Sequence, residues 1–291
     1  MTDITEIKAN AASYLVNLAP PCELLEVTND VRFLAGKNPK IDSVIEKTML
    51  EHCMEQFFQV EIPGSPPTRA LITRHGSLEK NKFLCPRTHL SFLFNPDKNE
   101  VSEVTKAFPD NKELGSADNE NWRLALEKLM TEYTEKHFKD GCVSVYALSG
   151  DPCKLIICTE AHYSKNEMSG RWRSEYTISL PSKQADTTVT VRGWIKVQTH
   201  LYEEGNVQLI SSKEISLEID AKSPEILASD LLTKIQHEED IYQVAFSENF
   251  KSMSENTFKT LRRQLPLTKT KVDWNNIINY QIGSEISRSV V

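Results

Sequence analysis

The sequence predicts an α+β protein, with helical regions at both ends and β-strands between them. In the first 60 residues apolar side chains recur at helical spacing, and between about 142 and 213 apolar and polar side chains alternate. A helical pattern returns after Ser223 and meets no proline or glycine before Pro266. Since short turns connect the strands, we expect an antiparallel meander rather than a parallel sheet with crossover helices.

Residues 1–60 predict a bundle of three helices. The second helix is expected over 23–35 and the third over about 42–58, beginning at Asp42 or Ser43. Short connections between these helices favour antiparallel packing. The first helix has one apolar face, formed by Ile4, Ile7, Ala11, Leu15 and Leu18.

Residues 61–118 predict a small β segment followed by a polar loop. Prolines and a glycine interrupt the helical pattern, and ALIT at 70–73 and LSFLF at 90–94 have the composition of short strands. Residues 96–120 are polar and acidic with few large apolar side chains, so we expect an exposed loop there.

Residues 119–221 predict a helix followed by an antiparallel sheet. The helix is expected over about 119–138 and is stopped by Gly141. Alternation of apolar and polar residues is clearest in the fourth strand, which should therefore have two chemically different faces. The five predicted strands cover 142–148, 154–162, 171–180, 187–203 and 205–213.

Residues 222–265 predict one long helix, ~60 Å in length for about 40 residues. Ser223, Pro224 and Glu225 form a favourable start. Five strands make a sheet only ~24 Å wide, so a helix lying across it would extend past its edge. We therefore expect a second subunit to extend the sheet edge to edge, unless the helix bends, packs on the N-terminal bundle or lies along the strands.

The composition, with 39% hydrophobic and 26% charged residues, is ordinary for a globular protein. The first residues lack the basic region and unbroken apolar run of a signal peptide, and no segment approaches the roughly 18–20 apolar residues of a membrane span. Six scattered cysteines without a CxxC motif then indicate reduced thiols in the cytosol.

The residue patterns of enzymes and metal sites are missing from the sequence. It contains no glycine-rich phosphate loop, no HExxH and no GxSxG motif. Cys158 and His162, with His137 nearby, do not follow the spacing rules of zinc sites, and Cys158 lies in an apolar run typical of a buried cysteine. The acidic run at 238–240 is interpreted as a solvated helix face. We therefore expect no catalysis, no metal and no cofactor.

A basic stretch near the C-terminus of this acidic chain, whose formal charge is −7, gives the strongest indication of function. A helix C-terminus would explain Arg262 and Arg263, but not the cations beyond Pro266. Nucleic acid fits poorly, because the chain is acidic and no aromatic residues alternate with the cations. An acidic protein surface or an anionic phosphoinositide head group fits better. The five cations are Lys259, Arg262, Arg263, Lys269 and Lys271.

Residues 266–291 form a basic joint followed by an amphipathic tail. Such a tail either docks on its own domain or acts as a tethered helix that binds an apolar groove on a partner. Its apolar residues recur at helical spacing and are Trp274, Ile277, Ile278, Ile282 and Ile286.

Six motifs occur in a fixed order along the chain. They are APPCELLEVTNDVR at 19–32, LITRHG at 71–76, FLCPR at 83–87, GRWRSEY at 170–176, HLYEEGNVQLISSKEI at 200–215, and LRRQLP with TKTK and DW at 261–274. From about residue 15 to the end, this arrangement resembles the alpha subunit of the heterodimeric F-actin capping protein (CapZ type).

The resemblance implies a heterodimer in which alpha and beta subunits share one continuous sheet. It implies calcium-independent binding to the barbed end of F-actin, which blocks subunit addition and loss, in the cytoplasm at the cortical actin cytoskeleton. Phosphoinositides and proteins with capping-protein-interaction motifs are the implied regulators. A phosphoinositide-binding cytoskeletal adaptor without capping activity is the alternative, and a hydrolase is a more distant one.

The resemblance also assigns site residues. Lys259, Arg263 and Lys269 match the family's actin-binding basic residues, although Lys269 stands where relatives commonly carry arginine. The tail is expected to bind a hydrophobic groove on actin. One departure is Cys22, which replaces a usual glycine, so that a turn needing positive φ would be strained there.

The GRWRSEY motif is interpreted as structural. Alternation along a strand places Arg171, Arg173 and Glu175 on one face, and Trp172 and Tyr176 on the other. We expect cross-strand ion pairs on the first face and a buried aromatic row on the second.

Overall fold

The computed structural model describes residues 4–107, 117–148, 150, 153–165, 168–180, 188–201 and 207–252. The helices in these ranges are α1 Ile4–Asn17, α2 Leu24–Ala35, α3 Pro39–Glu55, α4 Ala117–His137 and α5 Pro224–Ser252. The first strands are β1 Phe58–Ile62, β2 Thr68–Ile72, β3 Ser77–Glu79, β4 Lys82–Cys85, β5 Leu90–Asn95 and β6 Glu100–Lys106. The others are β7 Cys142–Leu148, β8 Cys153–Lys165, β9 Met168–Leu180, β10 Thr188–Leu201 and β11 Val207–Asp220.

The predicted three-helix bundle is confirmed, with one shifted boundary. Helix α3 begins at Pro39 rather than near residue 42, because the Asn38 side chain accepts a hydrogen bond from the Lys40 amide at 3.0 Å. Proline suits the first helical position, where its missing N–H is not needed. The helix ends at Glu55, and residues 58–62 form β1 instead of its last turn.

The apolar face predicted for α1 is not its buried face. Ala12 and Val16 face the bundle core, together with Ala19 just after the helix. The five residues of the predicted face are exposed, Ile4 and Ile7 by 72% and 54%. The small side chains allow α1 to approach α3 closely, which leaves the larger ones on the outside.

The segment between the bundle and α4 contains more β structure than predicted. Strands β2 and β5 confirm ALIT and LSFLF, and β1 pairs with β2. The prediction of an exposed loop over 96–120 is wrong in part, since residues 100–106 form β6, which pairs antiparallel with β5. Strand β6 is the edge of the sheet β3-β4-β5-β6 and is largely exposed, so it has no apolar alternation to reveal it.

The predicted five-stranded antiparallel sheet is confirmed, with the order β11-β10-β9-β8-β7. Its strands are longer than expected at several ends. Strand β11 continues to Asp220 rather than ending at 213, and Ile215 and Ile219 are buried along the added length. Exposed Ser216 and Glu218 alternate with these isoleucines, so the sequence itself already carried the signal for the longer strand.

Helices α4 and α5 cover one face of this sheet and enclose its core. Leu126 and Tyr133 of α4 and Leu231 and Ile235 of α5 pack in one cluster with Trp172. The predicted start of α5 is confirmed, since the Ser223 hydroxyl accepts a hydrogen bond from the Ile226 amide at 3.3 Å. The opposite face carries a smaller apolar cluster that joins the sheet to the β1–β2 region. No helix in the ranges given above is long and apolar enough to span a bilayer.

Helix α5 runs along strand β11 and not across the sheet, as the partner prediction from helix length and sheet width assumed. Three contacts join α5 to β11: Lys234 to the Glu218 carbonyl, Glu238 to Lys213, and Tyr242 to Ser211. As α5 advances, its partners on β11 move backwards, so the helix runs antiparallel to the strand and does not cross the sheet at a right angle. The comparison of helix length with sheet width therefore does not by itself indicate a partner.

Candidate functional site

The residues predicted to bind actin lie outside the described residues, in the segment after α5. This holds for all nine of them: Lys259, Arg262, Arg263, Lys269, Lys271, Trp274, Ile277, Ile278 and Ile282. Helix α5 is the described element that leads the chain into this segment. The contacts that hold α5 on the sheet are therefore the described features nearest in sequence to the predicted segment.

A buried carboxylate fastens α5 to the sheet and to α4. Glu239 is 1% exposed, so the interpretation of 238–240 as a wholly solvated face is wrong at this position. Its carboxylate accepts hydrogen bonds from the Tyr133 hydroxyl at 2.7 Å and the Tyr176 hydroxyl at 3.2 Å, and Ser174 lies at 3.4 Å. A polar residue on an apolar helix face is tolerated when such donors surround it.

The environment of Glu239 favours the protonated acid. Burial, the largest cause, raises the pKa of Glu239 to about 7, although the hydroxyl donors oppose the shift. Burial and then the charge of Glu239 raise the pKa of Tyr133 and Tyr176, so both phenols remain donors. The cluster therefore connects α4, α5 and β9 through one carboxyl group that titrates near neutral pH.

The two edges of the five-stranded sheet differ. Strand β7 lies next to β2, whose Leu71 packs with Cys142 and Tyr146 in one apolar cluster. Strand β11 pairs with β10 on one side, and no strand of the described ranges pairs with its other side. Near this edge, Ile210 is 65% exposed, and α5 exposes Ile241 and Val244 one turn apart. An open strand of 14 residues is a template for pairing with another chain.

A second apolar surface lies on the helical bundle. Phe33 and Leu34 at the end of α2 are 86% and 75% exposed. Large exposed apolar residues also run along α1: Ile4, Ile7, Tyr14, Leu15 and Leu18. Clusters of this kind on a protein surface mark sites of association.

The GRWRSEY prediction is confirmed by the two faces of β9. Trp172 and Tyr176 are buried beneath α4 and α5. On the other face, Arg171 donates to the fully buried Glu160 carboxylate at 3.1 Å. His162 lies 3.2 Å from the same carboxylate.

A cluster of potential metal ligands lies on that same face, but it is not the one considered from the sequence. Cys158 and His162 are four positions apart on β8, which separates them by about 13 Å. The structure instead places Cys158 within 4.8 Å of His75 and Glu175, with ligand-type atoms on all three. Cys158 is fully buried, as predicted. Burial raises the pKa of its thiol well above the usual value, which disfavours the thiolate that a metal needs.

Comparison with known proteins identifies the family. A family model for the F-actin capping protein alpha subunit matches residues 12–285. The chain is 34% identical to the F-actin-capping protein subunit alpha of Caenorhabditis elegans, covering 98% of this chain and all of the relative. It is 30% identical to that of Dictyostelium discoideum, covering 99% and 100%. The chain belongs to the F-actin capping protein alpha subunit family.

A solved member of the alpha subunit family has the same fold. The homodimeric actin capping protein alpha subunit from Plasmodium berghei superposes with a TM-score of 0.73 at 20% identity, covering 92% of this chain and all of that chain. The family model extends to residue 285 and so includes the basic stretch and most of the tail.

The turn between α1 and α2 contains Cys22, at the position where the family resemblance implies a glycine. Cys22 has a φ of 69°, which lies in the left-handed region that favours glycine. The turn between α1 and α2 therefore keeps its geometry with a non-glycine residue.

Proposed function

We propose that this chain is the alpha subunit of a heterodimeric, non-enzymatic capping protein that binds the barbed end of actin filaments. Bound there, the heterodimer blocks both addition and loss of actin subunits, without calcium. The observation that carries the proposal is the family match over residues 12–285, which includes the segment predicted to contact actin.

Two open surfaces support a beta subunit as partner. No strand among the described residues pairs with the outer edge of β11, and a second subunit would satisfy the backbone groups there by antiparallel or parallel pairing. The apolar side chains of α1, together with Phe33 and Leu34, would be covered by helices of the partner. A partner that binds both surfaces would contact the chain at its helical bundle and at its sheet.

The filament contact is assigned to the segment after α5. The cations Lys259, Arg263 and Lys269 would steer the subunit toward acidic actin surface, with Arg262 and Lys271 adding to the same field. The apolar residues Trp274, Ile277, Ile278 and Ile282 would then anchor the tail in a groove, which mainly slows dissociation. The chain would act at the cortical actin cytoskeleton, with phosphoinositides and capping-protein-interaction-motif proteins as regulators.

Elongation of pyrene-labelled actin from filament seeds tests the proposal. We expect the full-length chain, co-purified with a beta subunit, to stop barbed-end growth at concentrations far below that of actin. Arg263→Glu and Lys269→Glu should each raise the concentration for half-maximal inhibition by roughly tenfold. The matched control is Lys154→Glu, an exposed lysine on β8, which should leave it unchanged.

Two results would overturn the proposal. Filaments that elongate normally in the presence of the two-chain complex would leave an adaptor as the better reading. If the isolated chain sediments as a stable monomer and does not associate with a beta subunit, the heterodimer proposal is wrong.

A further inference from the structure

A polar cavity lies between the end of α3 and the face of the five-stranded sheet that is opposite to α4 and α5. Its volume is about 340 Å³, which is enough for a small anion with its water. It is bounded by the loop after β2 and by neighbouring positions of β9 and β10. The charged, aromatic and histidine residues around it are Glu55, Phe57, Arg74, His75, Arg173, Glu175, Trp194 and Lys196.

Arg173 is the unusual residue of this cavity. It is 7% exposed, and its Nη1 donates to the backbone carbonyl of Glu55. Within the ranges that the structure describes, no carboxylate lies within ion-pair distance of its guanidinium. A guanidinium has five N–H donors in a planar fork, so most of its donor capacity remains available.

The other buried arginines in the described ranges are paired. Arg123 binds the Glu120 carboxylate at 2.6 Å and that of Glu127 at 3.0 Å. Arg171 binds Glu160 at 3.1 Å. Arg173 differs because no carboxylate contacts it in the described ranges: Glu160, its register partner on β8, binds Arg171 instead. A buried guanidinium that is only partly compensated carries a desolvation penalty, which an anionic ligand would offset.

A second cation faces Arg173 directly. Lys196 on β10 is the register partner of Arg173 on β9. Like charges at directly opposed positions destabilise a sheet. The Lys196 ammonium lies 4.7 Å from the centre of the Trp194 ring and the Arg173 guanidinium 5.9 Å from it, so both cations lie over the same indole.

The acids at the cavity do not neutralise this pair. The Glu55 carboxylate binds Arg74 at 2.7 Å, and the Glu175 carboxylate binds His75 at 3.2 Å. Burial, followed by the charge of Arg171, lowers the pKa of Arg173 to about 10, which leaves it positive at neutral pH. Two opposed positive charges that no carboxylate contacts in the described ranges also disfavour a divalent cation at the nearby His75 and Glu175.

We propose that this cavity binds a phosphate-type oxyanion, either inorganic phosphate or the phosphate group of a small soluble ester, between Arg173 and Lys196. The planar fork of Arg173 can donate to two oxygens of one anion, and the Lys196 ammonium can bind a third. A doubly charged anion matches two cations better than a monocarboxylate does. The residues of this site do not belong to the predicted actin-binding segment, and the proposal does not depend on the proposed function.

Tryptophan fluorescence provides a direct test, because Trp194 contacts both cations. The full-length chain, with its partner subunit where the two co-purify, is titrated with inorganic phosphate at constant pH and ionic strength. Glycerol phosphate is titrated in parallel to distinguish the free anion from an ester. We expect a saturable change that Trp194→Phe removes, while phosphate still raises the melting temperature of that variant.

Variants then locate the site. Lys196→Gln should raise the midpoint of the phosphate titration about tenfold, as expected for one lost charge-assisted hydrogen bond. Because Lys196 is exposed, this substitution should leave the fold intact. Arg173→Lys keeps the charge but loses the fork, and it should also weaken binding. The control is Lys154→Gln on the same sheet face, which should titrate like the unmodified chain. Equal midpoints in the unmodified chain and Lys196→Gln, or no saturable response beyond that of chloride, would overturn the proposal.

Discussion

The two faces of β9 accommodate buried charge in different ways. On the face covered by α4 and α5, the Glu239 carboxyl is surrounded by hydroxyl donors and can become neutral by taking up a proton. On the opposite face, the guanidinium groups of Arg171 and Arg173 keep their charge at neutral pH. Arg171 contacts Glu160, whereas no carboxylate in the described ranges contacts Arg173, although Glu160 lies opposite it on β8. A buried acid can therefore be tolerated through its pKa, but a buried arginine needs a counter-ion.

The largest effect is expected from breaking the matched pair on the second face. Arg171→Ala leaves the Glu160 carboxylate fully buried without its cation, which should cost about 3–5 kcal/mol of unfolding free energy. Urea denaturation followed by circular dichroism measures this loss. His162 lies 3.2 Å from the same carboxylate and can donate to it, which would limit the cost.

The paired variant is the control for this prediction. Arg171→Met combined with Glu160→Met removes both charges and should be much closer to the unmodified chain than Arg171→Ala. If the single and double variants are equally unstable, packing rather than an uncompensated charge explains the loss.

The next effect concerns the acid on the helix-covered face. Because the pKa of Glu239 is raised to about 7, the folded chain holds this proton more tightly than the unfolded chain does. The stabilisation of the folded state by this proton is present below the unfolded pKa near 4.5 and is lost as the pH rises through about 7. A shift of this size corresponds to about 3 kcal/mol, and Glu239→Gln, which imitates the neutral acid, should not show this loss.

The quantity to measure is the difference in unfolding free energy between Glu239→Gln and the unmodified chain from pH 5 to 8. The difference is needed because His52 titrates in the opposite sense. Burial, followed by the charges of Arg171 and Arg173, lowers the pKa of His52 to about 4, so its stabilising effect is lost on acidification. A difference that does not change with pH would mean that Glu239 is ionised throughout.

The two faces of β9 also show which features of the structure could be predicted from the sequence. Alternation along 171–176 correctly separated the arginines from the aromatic residues, because the two faces of a strand follow from its period alone. The partners across the sheet could not be predicted, since register is not visible in a single strand. The opposition of Arg173 and Lys196, and the position of Glu239 above Tyr176, are consequences of register and of helix placement.

The periodicity of apolar residues gave a wrong prediction on α1, where two faces of the helix carry apolar side chains. On α1, the larger apolar residues suggested the core face, but the small residues Ala12 and Val16 are buried there. Hydrophobic spacing indicates that a surface is to be covered and does not say by which chain. The face with Ile4 and Ile7 is therefore consistent with the beta subunit proposed above.

The smallest effect is expected at Cys22, in the turn between α1 and α2, where the side chain lies beside Arg171. At a φ of 69°, a side chain pays a conformational penalty that glycine avoids. Cys22→Gly should therefore raise the unfolding free energy by up to about 1 kcal/mol, measured by urea denaturation under reducing conditions. Cys22→Ala is the matched control, because it removes the thiol but retains Cβ and should give no such gain. A gain from alanine equal to that from glycine would show that the thiol, rather than the backbone, is the source of instability.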